Sequence, residues 1–167
     1  MSMGVQTAIS MDDYLQTSFP DLDKEYRDGE LVERSMPDYL HGKIQLKLGV
    51  FFMALSPRLA LYPSSEARLL LSSRRALIPD VAVFHLEEPQ GIPTTPPLVA
   101  IEILSPDDRL TEVREKLREY HAWGVPHVWL VDPRSRVFYT CQDRLREVIT
   151  LTIPELGVEL TQADLFD

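Results

Sequence analysis

The run Leu98-Val-Ala-Ile-Glu-Ile-Leu104 sets one carboxylate, Glu102, inside an otherwise aliphatic stretch. A near-continuous apolar run of this length predicts a strand buried on both faces of a sheet. An ionised carboxylate in such surroundings costs several kcal/mol unless it pairs, protonates or holds a cation. A buried ion pair with an arginine is the plain structural explanation. A site role is the stronger one, because buried, perturbed acids concentrate where chemistry is done.

The flanking segments supply the rest of a sheet and its covering helices. Leu40, Ile44, Leu48, Phe51, Phe52 and Leu55 recur at helical spacing and predict a helix from about Pro37 to Leu55, ended by Pro57. Strands are expected over Glu66–Leu71, Ile78–Phe84 and Leu98–Leu104. Ser105-Pro106-Asp107-Asp108 reads as the start of a second helix, with serine as N-cap and proline in the first helical position. Its stripe is Leu110, Val113, Leu117 and Tyr120, and Gly124 ends it. His127–Val131 and Val137–Cys141 are further strands. Upstream, Ser10 caps a short helix and Asp28-Gly29 turns a hairpin within Tyr26–Arg34. The tail adds strand-like apolar residues. The central order is helix, three strands, helix, strand: an α/β (α+β) αβββαβ core with a mixed sheet flanked by helices and extra terminal strands. The 167 residues suit a single domain without internal repeats.

Cys141 is the only cysteine, which excludes an intrachain disulfide and a cysteine-rich zinc site and points to a reducing, cytoplasmic setting. No apolar run approaches the roughly 18 residues of a membrane span, so no membrane partner is expected. The first ten residues lack a basic start and a long apolar stretch, so no secretory leader is expected. The net charge of −9 argues against a large nonspecific nucleic-acid binder. Yet residues 41–79 carry one acid, Glu66, and six bases. A basic segment thus lies in sequence beside an acid-rich one, as a phosphate-facing surface beside a metal-binding cluster would.

Asp80 follows Pro79 at the head of a strand, where the missing proline donor predicts an irregular or edge position. With Glu102 on a neighbouring strand, the two carboxylates can share one hard cation, Mg²⁺ or Mn²⁺, completed by water and substrate oxygens. Lys116 falls on the flank of the second helix's apolar stripe, where a long stem can follow the core and bring its ammonium to the end of the sheet. The alternative for Lys116 is an i,i+4 pair with Glu112. Glu30, Glu66 and His41 are further candidates, each also readable as an exposed strand acid or a capping histidine.

Several stretches in this order resemble the Uma2 family of restriction-endonuclease-like proteins, in the PD-(D/E)XK nuclease superfamily. They are Tyr26-Arg-Asp-Gly-Glu-Leu-Val-Glu33, Pro79-Asp-Val-Ala-Val83, Val99-Ala-Ile-Glu-Ile-Leu-Ser-Pro106, Arg114-Glu-Lys-Leu-Arg-Glu-Tyr120 and Gly124-Val-Pro-His-Val-Trp-Leu-Val-Asp-Pro133. The resemblance spans about Met11 to Phe166. It implies a restriction-endonuclease-like fold, a divalent metal and a homodimer. It maps the metal-binding aspartate to Asp80 and the glutamate to Glu102. The superfamily's lysine would stand at Leu104, so the departure from Glu-x-Lys points to Lys116 on the following helix. Glu30, His41 and Glu66 fall where the family often has the same residues. His127 stands where many relatives have glutamate.

The expected activity is metal-dependent hydrolysis of DNA phosphodiesters. Asp80, Glu102 and Glu66 would hold Mg²⁺ (or Mn²⁺), Lys116 would offset charge in the transition state, and Glu30 would complete the catalytic set. His41, Lys43, Arg68, Arg74 and Arg75 would bind substrate, with Lys47 steering the backbone. The rival readings are a non-catalytic binding or assembly module of the same fold, and a hydrolase of small phosphorylated substrates.

Overall fold

The computed structural model describes residues 8–167, so most of the stretch read as lacking a leader lies outside the described residues. The chain order is α1 (Met11–Gln16), β1 (Glu25–Arg27), β2 (Glu30–Val32), α2 (Tyr39–Leu59), β3 (Leu61–Ser65), β4 (Leu69–Ser72), β5 (Arg75–Leu77), β6 (Val81–His85) and β7 (Val99–Ile103). There follow α3 (Leu110–Trp123), β8 (His127–Asp132), β9 (Val137–Cys141), β10 (Leu145–Val148), β11 (Thr150–Ile153), β12 (Val158–Thr161) and α4 (Gln162–Phe166).

The main sheet has six strands in the order β10-β9-β8-β7-β6-β3, and only β7–β8 run parallel. That parallel pair needs a crossover, which α3 supplies. All five residues of β7 are buried, as the apolar run around Glu102 requires. One face of the sheet packs Val81, Val83, Ile101, Ile103 and Trp129 against Ile44, Leu48 and Phe52 of α2. The other packs Ala82, Ala100 and Leu130 against Leu117 and Tyr120 of α3. The core is therefore α2, β3, β6, β7, α3, β8, the αβββαβ order expected, within a mixed sheet.

A second sheet, β2-β1-β5-β4, joins the N-terminal hairpin to the segment before Pro79. Asp28 (φ 50°) and Gly29 (φ 90°) form the left-handed turn that the Asp-Gly pair predicts. The expected strand over Glu66–Leu71 is a correction: β3 stops at Ser65, Glu66 turns with φ 52°, and β4 belongs to the small sheet. The strand read over Ile78–Phe84 likewise divides. Pro79 has no N–H to continue a ladder, and the chain passes from the small sheet at Leu77 to the main sheet at Val81.

Two helix boundaries differ from expectation. Pro57 lies inside α2, in its last turn, and the helix stops at Leu59 with Ala60 in the left-handed region (φ 49°). Ser105-Pro106-Asp107-Asp108 is a turn ahead of α3, not its cap: Asp108 Oδ2 accepts from the Ser105 N–H at 2.6 Å. Gly124 ends α3 in the left-handed conformation (φ 109°), as the sequence indicates. No helix among the described residues is long and apolar enough to cross a membrane.

Candidate active site

The passage between the two sheets places the site. In Ile78-Pro79-Asp80 the backbone leaves one ladder before joining the next, so its polar groups need side-chain partners. Glu25 accepts from the Ile78 N–H at 2.9 Å, Lys116 Nζ donates to the Ile78 carbonyl at 2.9 Å, and Gln45 Nε2 donates to the Asp80 carbonyl at 2.9 Å. The antiparallel register pairs Val81 with Ile101, and one step further sets Asp80 beside Glu102. Where the ladder stops, the Asp80 carboxylate takes over: its Oδ2 accepts from the Ile103 N–H at 2.7 Å. Asp80 Oδ1 lies 3.2 Å from His41 Nε2 and 3.7 Å from Arg34 Nη2.

Lys116 reaches from α3 to join two carboxylates. Its Nζ is 2.8 Å from Glu102 Oε1 and 2.6 Å from Glu25 Oε1. Tyr120, one helical turn on, donates its hydroxyl to the same Glu102 oxygen at 2.8 Å. The alternative pair of Lys116 with Glu112 does not form, because α3 turns Lys116 toward the sheet. Glu102 Oε2 has no protein donor among the described residues. Asp80, Glu102, Lys116 and Glu25 line an open cleft of about 650 Å³, shared with Arg34, His41, Glu66, Ser105 and Asp108.

The electrostatics follow from this crowding. Burial works to raise the Asp80 carboxyl, but the His41 hydrogen bond and charge, Lys116 and the Ile103 N–H hold it below the usual carboxylate range. Burial pushes Glu102 the other way, to about 8, with Asp80 and Glu25 adding to the rise and Lys116 opposing it. Burial would discharge Lys116, yet Glu102, Glu25 and Asp80 carry it above its ordinary value, so it stays an ammonium. The burial penalty on His41 is outweighed by Asp80, which raises it.

The structure brings Asp80, Glu102, Lys116, His41 and Glu66 to one cleft. Glu30 is not among them. It is exposed at the turn end of the hairpin, paired with Arg27. The acid that reaches the site is Glu25, on the same hairpin face but further from the turn, and only 5% exposed. Strand alternation groups the two acids on one face, and only tertiary packing decides which end of the hairpin sinks. Arg34 and Tyr120 are likewise site residues that the sequence does not single out. Tyr120 reads as part of the apolar stripe, and Arg34 closes the hairpin stretch with no pattern of its own to mark it.

The basic residues expected to bind substrate mostly hold the fold. Arg68 is a structural clasp: it donates to Asp23 at 2.6 and 2.8 Å and to the Tyr14 and Thr17 carbonyls at 2.7 Å, and it stacks on the Tyr14 ring. Arg75, at the cleft margin, bonds Glu119 at 2.6 and 3.0 Å. Exposed Arg74 pairs with Asp28 at 2.7 Å. Lys47 bonds the Leu165 and Asp167 carbonyls. Lys43 is exposed on α2 and does not line the cleft. His127 contacts Glu155 at 2.6 Å, away from this cleft.

A mixed sheet covered by helices, with acids and a lysine meeting at the ends of its central strands, defines a restriction-endonuclease-like protein. The chain belongs to the Uma2 family, described as "Putative restriction endonuclease", which matches residues 11–166. Among solved structures it is similar to "a putative nuclease belonging to DUF820" from Anabaena variabilis ATCC 29413. The TM-score is 0.82 and the identity 24%, over 95% of this chain and 97% of that one. That likeness establishes the fold. No curated protein matches.

Proposed function

We propose that the chain acts as one restriction-endonuclease-like domain that hydrolyses DNA phosphodiester bonds with a divalent cation, Mg²⁺ or Mn²⁺. The observation that carries this reading is Glu102: a carboxylate buried in β7, beside Asp80, with one oxygen lacking a protein donor at an open cleft. The donor set fits a hard cation that brings its own waters. No three His, Cys, Asp or Glu among the described residues form a protein-only cage, and Mg²⁺ characteristically takes one or two carboxylates plus water and phosphate oxygens. Asp80 and Glu102 would hold it, with Glu66 adjoining through water. When bound, the cation polarises the phosphate and lowers the pKa of a coordinated water.

The protein's own groups do the rest. Lys116 stays charged and lies between Glu25 and Glu102, so its ammonium can offset negative charge growing on the phosphorane-like transition state. Glu25 holds Lys116 and the Ile78 N–H at once and so fixes the ammonium's position. Tyr120 fixes the Glu102 rotamer from below. Asp80 keeps its charge through His41 and the Ile103 N–H, and remains a ligand at neutral pH.

A homodimer fits the same reading. Leu46, Val50 and Met53 lie exposed on α2 beside β3, the outer strand of the six-stranded sheet. A cytoplasmic setting suits the buried, unpaired thiol of Cys141.

A second reading has a specific observation behind it. Lys116 and Arg34 already neutralise much of the acid cluster, as they would in a binding module that never takes up metal. The test is incubation of supercoiled plasmid with wild type, Asp80→Ala and Glu102→Ala in Mg²⁺, Mn²⁺ or EDTA, alongside thermal melts with each ion. Metal-dependent nicking and metal stabilisation, both lost in the two variants, support the nuclease. Nicking unchanged in both variants, or no response of wild type to either ion, removes it.

A further inference from the structure

Arg34 is a buried site cation whose acids are held only at long range. It follows β2, its side chain is only 9% exposed, and it lines the cleft. Its Nη2 stands 3.5 Å from Glu66 and 3.7 Å from Asp80, too far for the bidentate fork a guanidinium makes with a committed carboxylate. Its Nη1 is buried with no protein hydrogen-bond partner among the described residues, as is Nδ1 of the neighbouring His41. Compare Arg68 and Arg75 in the same protein, whose guanidinium groups bond their acids at 2.6 Å. A buried donor without an acceptor is destabilising. In a native protein it calls for an acceptor from outside the chain, a ligand, ion or water.

We infer that Arg34 is a phosphate-binding residue, which takes a non-bridging oxygen of a nucleic-acid phosphodiester on the guanidinium edge that lines the cleft. This rests on the nuclease reading for the choice of ligand and goes beyond it in assigning the anion contact to Arg34 rather than to the basic residues of the 41–79 segment. Those residues are engaged elsewhere or stand away from the acids. Among the described residues Arg34 alone of the arginines lies within 4 Å of a proposed metal ligand. Lysine could keep the charge there but not the planar fork.

The experiment measures anisotropy of a fluorescein-labelled DNA duplex across a salt series, with Ca²⁺ present, for wild type, Arg34→Met and Arg34→Lys, each also melted. Expected for Arg34→Met are a loss of affinity of roughly tenfold or more and a salt slope shallower by about one. Arg34→Lys should keep the slope and recover only part of the affinity. A lower melting temperature in Arg34→Met with affinity and slope unchanged overturns the inference, leaving Arg34 a counter-ion of Asp80 and Glu66. A wild type that binds no duplex overturns it too. The two readings separate cleanly. Arg34-dependent binding without Mg²⁺-dependent cleavage sinks the nuclease and keeps the phosphate contact. Cleavage with Arg34-independent binding does the reverse.

Discussion

Replacing Glu102 with glutamine should stabilise the metal-free protein, and by more as pH rises. Burial lifts the Glu102 carboxyl from its ordinary 4.5 to about 8 in the folded protein. A group whose pKa is raised on folding contributes its stability in full below the unfolded value and loses it as pH climbs toward the folded one. At roughly 1.4 kcal/mol per pH unit, the loss is about 1 kcal/mol near pH 5 and about 3 kcal/mol near pH 7. Glutamine is neutral and escapes that loss. Its amide oxygen still accepts from Tyr120, and Lys116 keeps Glu25; trading the protonated carboxyl for an amide at these contacts costs about 1 kcal/mol. The net gain is about 2 kcal/mol at neutral pH and close to zero at pH 5. For a domain of this size that is a rise of roughly 4–8 °C in Tm. Thermal melts in EDTA between about pH 5 and about pH 8 read it directly. A Glu102→Gln protein that melts below wild type near pH 8 would refute the reasoning. It would mean that Glu102 is held there by Lys116 for stability, with no cation required.

Lys116→Met removes the ammonium shared by Glu25 and Glu102, leaving the buried Glu25 carboxylate uncompensated; urea unfolding should show a loss of about 3–5 kcal/mol. A loss under 1 kcal/mol would show that solvent, not Lys116, balances these acids. Val50→Glu with Met53→Glu places charge on the exposed face of α2, which the dimer would bury. Light scattering should then report a monomer at concentrations where wild type is a dimer, and an unchanged mass ratio rules this face out. Arg68→Met breaks the clasp on Asp23, Tyr14 and Thr17, so it should lower Tm by several degrees yet leave duplex affinity within about twofold, measured well below the melt. A selective loss of DNA affinity at unchanged Tm would return Arg68 to the substrate surface.

The local sequence determined what its neighbours alone can enforce. An aliphatic run predicts β7 as a strand covered on both faces, and a helical stripe predicts α3 up to the glycine that ends it. Asp-Gly predicts the turn, and an acid amid aliphatics marks Glu102. The proline before Asp80 predicts the broken ladder, since a missing N–H acts wherever the residue stands. Tertiary structure decided everything that depends on distance between segments. It chose Glu25 over Glu30, because both lie on one hairpin face and only the docking of β1 beside β5 sinks one of them. It took up Arg68 and Lys47 as ties and left Arg34 loosely held among acids, which net charge along the chain does not foretell. It also moved the first core strand to Leu61–Ser65, because those residues pair with β6 and the chain turns at Glu66 into a second sheet, its N–H meeting the Asp80 carbonyl at 3.4 Å. Pattern fixes which residues prefer the interior, but partners far apart in sequence meet only where the packed elements carry them.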